Sequence, residues 1–156
     1  MRSHHTTFTL LFCLSGLILG GALAQEQEQR VEMKDLPPAV QKTAKEQSKG
    51  AKVRGYSKEI EDGKTLYEVE MIVSGHSKDI LIDESGAVVE VEEEVSLASL
   101  PPAVKSEIEK QAGKGKILKV ESVNKSGTLA FYEAHVKTAG KISEIKVGPD
   151  GKPVGK

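Results

Sequence analysis

Leu36-Pro37-Pro38-Ala39-Val40 recurs as Leu100-Pro101-Pro102-Ala103-Val104, and each copy is followed at a matching distance by a Tyr-Glu pair, Tyr67-Glu68 and then Tyr132-Glu133. A repeat of roughly 64 residues is too long for a solenoid unit and suits a small α+β module used twice. The duplication therefore decides the architecture before any single residue is weighed.

Working outward from the repeated motif, Asp35 and Ser99 stand at equivalent positions as candidate helix N-caps, with the paired prolines in the entry and first turn, where a missing backbone N–H costs nothing. Val40 and Ala44, then Val104 and Ile108, are spaced four apart and predict one apolar stripe on each helix. Gly50 and Gly113 or Gly115 mark the helix exits, after which the period changes to two. Tyr67, Val69, Met71 and Val73 alternate with Glu68 and Glu70, the pattern of an antiparallel strand with one wet face. The second copy alternates Tyr132, Ala134, Val136 and Thr138 with Glu133, His135 and Lys137. Strands are also predicted over Lys52–Ile60, Ile80–Ile82, Ala87–Val91, Lys116–Asn124 and Ile142–Val147, separated by Gly-containing turns. The closing segment Lys152-Pro153-Val154-Gly155-Lys156 reads as an edge strand or a frayed tail.

The first 24 residues read as a cleaved signal peptide: Arg2, an apolar run from Phe8 to Leu19, and the small residues of Ala22-Leu23-Ala24 before polar Gln25. The run falls short of the roughly 20 apolar residues that span a bilayer, so no stable membrane insertion is expected after cleavage. The only cysteine, Cys13, lies inside that run, so a chain beginning at Gln25 would hold neither disulfides nor thiolate metal sites. Residues 25–34 then form a polar leader, 35–95 the first repeat and 98–156 the second. Charge is balanced overall but polarised, with 17 acidic and 10 basic residues over 25–94 against 6 and 11 over 95–156. No Arg-rich stripe with interleaved aromatics accompanies either half, so nucleic acid is not an expected partner.

The order of a Leu-Pro-Pro-x-Val helix, a Tyr-Glu strand and Ile80-x-Ile82-Asp83-x-x-Gly86-x-Val88-Val89 resembles the PepSY-like family, also described as resembling β-lactamase inhibitory protein. The second copy departs from the pattern, with Val147-Gly148 in place of Ile82-Asp83. What the resemblance implies is a helix packed on one face of a four-stranded antiparallel sheet, duplicated, with the open sheet face available to a protein partner. It also implies an exported, non-catalytic protein.

Enzyme chemistry finds little support in the residues. A nucleophilic triad needs a histidine between an acid and a hydroxyl, and beyond the signal only His76, in a turn, and His135, on a polar strand face, are available. No catalytic residue, cofactor or metal ligand is assigned. The row Glu90, Glu92 and Glu94, spaced about 7 Å apart along a strand, repels itself and is relieved by water, by a basic partner surface or by a divalent cation. Asp83-Glu84-Ser85-Gly86 lacks the ligand spacing of a calcium loop and reads as a hairpin turn.

The expectation is therefore a binding or inhibitory module of the bacterial cell envelope. Its partner, an unknown envelope or secreted protein, would dock on the exposed sheet face through Glu68, Glu70, Glu133, His135 and Lys137. The alternative is an envelope protein that binds divalent cations or a small ligand on the acidic strand of the first repeat.

Overall fold

The computed structural model describes residues 28–61 and 63–155. The signal-peptide expectation lies outside these residues. Eight strands form one antiparallel sheet in the order of the sequence: β1 Gln29–Val31, β2 Lys52–Glu61, β3 Lys64–Val73, β4 His76–Asp83, β5 Val88–Glu94, β6 Lys116–Lys125, β7 Thr128–Thr138 and β8 Lys141–Val147. Helix α1, Pro38–Gln47, precedes β2, and α2, Pro102–Ala112, connects β5 to β6. The tandem repeat is thus α+β as expected, but its halves are fused. Strand β5 pairs with β6 from Glu90↔Lys125 to Glu94↔Glu121, so a single sheet replaces two. The second repeat contributes three strands and one bridge, Val147↔Pro153, rather than four strands.

Both helices begin later than Asp35 and Ser99 suggest. A residue before proline is held extended, and Leu36 (ψ 149°) and Leu100 (ψ 152°) obey this, which moves helix entry to Pro38 and Pro102. Asp35 and Ser99 instead close single 3-10 turns, Met33–Asp35 and Leu97–Ser99. Three of the hairpins turn on two residues, Ser74-Gly75, Ser126-Gly127 and Ala139-Gly140, each with both φ angles positive. That geometry matches the right-handed twist of the flanking strands.

Val40 and Ala44 of α1 pack on Tyr67, Val69, Met71, Ile80 and Ile82, while Val104, Ile108 and Ala112 of α2 pack on Val120, Ala134, Val136, Ile145 and Val147. The register places Val91 opposite Asn124, and Ser122 and Val120 follow at period two on the same face, so the two cores share one side of the sheet. Both helices therefore lie on the same side. Each is held by a turn: Thr43 Oγ1 donates to the Gly86 carbonyl at 2.7 Å, and the equivalent Gly151 sits against Ala103 of α2.

The other face is strongly curled. Four strand spacings would separate β2 from β6 by about 19 Å in a flat sheet. Lys125 Nζ of β6 nonetheless lies 3.6 Å from Glu61 Oε1 of β2. Only inward curvature brings these side chains together, and it makes the helix-free face a trough.

Candidate functional site

The trough contains a hollow of about 330 Å³ lined from β2 through β8 and by Glu28 ahead of β1. It opens toward a cleft of about 680 Å³ at the hairpin tips, with which it shares Glu61, Glu90 and Lys125. Period-two alternation delivers the charges here, because the residues between the helix-facing apolar positions must point into the trough.

The expected site residues all lie on this face, but not all are exposed as predicted. Glu70 and Glu133 are only 7% and 6% exposed. Curvature covers them, and cations make that burial tolerable. Glu70 is paired with Arg30 Nη1 and, at 3.2 Å, with Arg54 Nη2. Glu133 pairs with Lys146 at 3.0 Å and with His135 Nε2 at 3.4 Å. Glu68 and His135 are half-buried. Lys137 is exposed, and neither it nor Glu70 lines the hollow, so the structure brings together only Glu68, Glu133 and His135 there.

Sequence reasoning missed three contributors. Glu121 of β6 is 1% exposed and is the most buried charge of the trough, receiving Lys119 Nζ at 2.7 Å and His135 Nε2 at 3.1 Å. Its partner by register is Glu133, the position at which Ser57 faces Glu68 in the first repeat. Repeat arithmetic would have found it. Asp79 of β4 is also buried, accepting the Met71 backbone N–H at 3.3 Å. Arg30 was hidden in the polar leader, yet Gln29–Val31 is a strand paired to β2. Gly55 leaves the room that its guanidinium occupies, since a Cβ there would fall within 2.3 Å of Arg30 Nη1.

Crowding sets the protonation of these groups. Burial first, and then the carboxylates of Glu121, Glu133, Glu90 and Asp79, push Glu92 up to about 8. Burial raises Glu68 to about 7 against the hydrogen bond from Ser57, with Asp79 and Glu70 adding to the rise. Asp79 is also raised, chiefly by burial. For Glu121 burial acts upward but is outweighed by His135 and Lys119, so it stays below the usual range. The same hydrogen bond, donated by His135 to Glu121, raises His135 despite its burial. Like carboxylates cannot all ionise in a desolvated cluster without cations.

Among the described residues, three groups bring potential ligand atoms within 4.8 Å of one another: Asp79, Glu92 and Glu121; Glu28, Glu68 and Glu70; and Glu133, His135 and Glu144. Asp83, by contrast, takes the backbone N–H groups of Ser85 and Ala87 at 2.9 and 3.0 Å, which makes it the lock of a hairpin turn, as expected. His135 faces carboxylates, and His76 is exposed near Glu94.

A family model described as "Putative beta-lactamase-inhibitor-like, PepSY-like" matches residues 23–88 and 65–152, two overlapping segments that together span most of the sequence. The chain belongs to this PepSY-like family. No curated protein matches it. Among solved structures, a "putative periplasmic" protein from Bacteroides eggerthii is similar with a TM-score of 0.60 and 17% identity, covering 76% of this chain and 86% of that one. A DUF2874 family protein from Bacteroides uniformis matches with a TM-score of 0.59 and 20% identity over 76% and 86%. A BLIP-like protein from Bacteroides fragilis matches with a TM-score of 0.54 and 18% identity over 77% and 84%. At these identities the likeness concerns the fold of the PepSY-like chain alone. Among the described residues no helix is long and apolar enough to cross a membrane.

Proposed function

We propose that this PepSY-like chain is an exported, non-catalytic module that binds a protein partner in the trough of its sheet. The observation that carries this reading is the trough itself: both helices cover the opposite face, and a hollow lined from seven strands is left open to solvent. Such a face excludes a partner's competitor by occupancy and charge matching, with no bond made or broken. The inhibitor-like family description and the BLIP-like fold support it, and the "putative periplasmic" neighbour from Bacteroides eggerthii supports export. Glu68 and His135 offer direct contact, while Glu70 and Glu133 hold the cations in place around them. Lys137 would act at the rim.

The test is site-directed photocrosslinking in the native envelope. A photoreactive residue at Glu144, in the trough, should capture a discrete protein adduct, and one at Lys105, on α2, should not. Adducts confined to the helix position would refute the docking face. Intact-mass analysis of the exported form should give Gln25 as its first residue.

A further inference from the structure

The hollow is lined by ten carboxylates against three lysines and one histidine. Its own cations are already committed. Lys119 is 2.7 Å from Glu121, Lys125 is 2.9 Å from Glu90, Lys146 is 3.0 Å from Glu133, and Arg30 and Arg54 both serve Glu70. Three carboxylates on adjacent strands are left with no cation at ion-pair distance among the described residues: Glu68 of β3, Asp79 of β4 and Glu92 of β5. Glu68 has a serine hydroxyl at 2.7 Å and Asp79 a backbone amide at 3.3 Å. Asp79 and Glu92 are directly opposed in the ladder, and Glu68 lies one step diagonally away.

Resting on the docking face proposed above, we infer that the partner is a protein surface that presents a lysine or arginine side chain to Glu68, Asp79 and Glu92. Glu61, Glu90, Glu121 and Glu133 each have a lysine at ion-pair distance and these three carboxylates do not, so the central deficit is one that an incoming cation would fill. A protein is the fitting carrier because the hollow draws its lining from seven strands and opens into the larger cleft at the hairpin tips, a surface far larger than a small cation covers. Seating that cation is coupled to protons. Glu92 faces Asp79 from β4, Glu121 from β6, Glu133 from β7 and Glu90 along its own strand, while Glu68 faces Asp79, Glu70 and Glu28. Lys119, Lys125, His135 and Lys146 each pair with another carboxylate, and Lys119 with Arg54 of β2 acts on Asp79 only from beyond ion-pair distance, lowering it against the rise from burial. With Glu92 at about 8 and Glu68 at about 7, the free trough keeps protons near neutrality that a bound ammonium or guanidinium would expel.

The experiment uses residues 25–156 as bait for a library displayed on a small, uncharged β-sandwich scaffold with one randomised loop, selected at physiological salt and pH 8. Selected loops should carry Lys or Arg, crosslink to the trough, and bind at least about tenfold more weakly to the Glu68→Gln/Glu92→Gln variant. Affinity for the parent should rise about tenfold from pH 6 to pH 8.5 with proton release, and that rise should flatten in the variant. Circular dichroism and thermal melting of the variant confirm that it is folded. Loops that crosslink to the trough but are apolar or acidic would overturn this inference and leave the docking face standing. Loops that crosslink to the helices would overturn both. Displacement of every basic loop by millimolar Ca²⁺, with Ca²⁺ binding abolished in the variant, would assign the carboxylates to a metal ion and overturn the inference as well.

Discussion

Glu92→Gln should stabilise the protein, and only at high pH. In the folded state Glu92 is raised from 4.5 to about 8, so between those values the unfolded chain has released a proton that the native trough retains. The unfolded state therefore binds fewer protons, and stability contributed near pH 4.5 drains away as pH climbs toward 8. At ~1.4 kcal/mol per pH unit the ceiling is about 5 kcal/mol. Solvent at the mouth of the hollow and repulsion shared among several carboxylates reduce this, and about 2 kcal/mol is the working figure. Glutamine has nearly the same shape and no charge, so it escapes the loss. Urea unfolding at pH 4.5, 6.5 and 9 should show the variant matching the parent at the first, ahead by about 1 kcal/mol at the second and about 2 kcal/mol at the third. Parallel profiles, or a variant weaker at pH 9, would mean that Glu92 is satisfied as an anion and that the electrostatic account of the trough is wrong.

Glu121→Gln should act in the opposite sense, costing about 3 kcal/mol at pH 7 because Lys119 and His135 lose a buried counter-charge, with the penalty fading below pH 4.5 as the parent's own carboxylate protonates. Denaturant melts across that range measure it. Tyr67→Ala should cost about 3 kcal/mol or more, and Tyr132→Ala distinctly less, because Tyr67 is 7% exposed while its repeat equivalent is half-buried. Gly151→Ala should lose more stability than Gly75→Ala by about 1 kcal/mol. Both have positive φ, but only at Gly151 would the new Cβ fall 2.7 Å from Ala103.

The elements were legible in the sequence because each rests on local chemistry. The Leu-Pro-Pro pairs, the Ser-Gly turns and the period-two run from Tyr67 encode helix entries, hairpins and strand faces within a few residues of themselves. The helix-facing set followed from that pattern except at the strand ends, where Val73 and Thr138 are exposed. Pairing between Glu94 and Glu121 was not legible, since nothing local states whether two repeats form two sheets or one. That single long-range choice explains the larger misreading at the site. Alternation placed Glu70 and Glu133 opposite the helices, and solvent exposure was then assumed; fusion and curl buried them instead. Strand β1 escaped notice because three residues are too few to show a period.

Comparing the two repeats shows how the duplication has been used. The helix-facing positions exchange one apolar residue for another: Tyr67 with Tyr132, Val69 with Ala134, Met71 with Val136, Ile80 with Ile145 and Ile82 with Val147. Those positions are bound by packing, where a polar substitution is costly. On the trough side the equivalents change chemistry, with Ser57 opposite Glu121, Glu70 opposite His135 and Asp79 opposite Glu144. The second repeat thus places Lys119 and His135 around its buried glutamate, while in the first repeat Glu68 and Asp79 receive only neutral donors. One half of the trough is electrostatically closed and the other is open toward its centre. The cation-bearing partner proposed above would therefore seat in the first repeat and be steered off the second, and duplication followed by divergence would give the trough a direction as well as a floor.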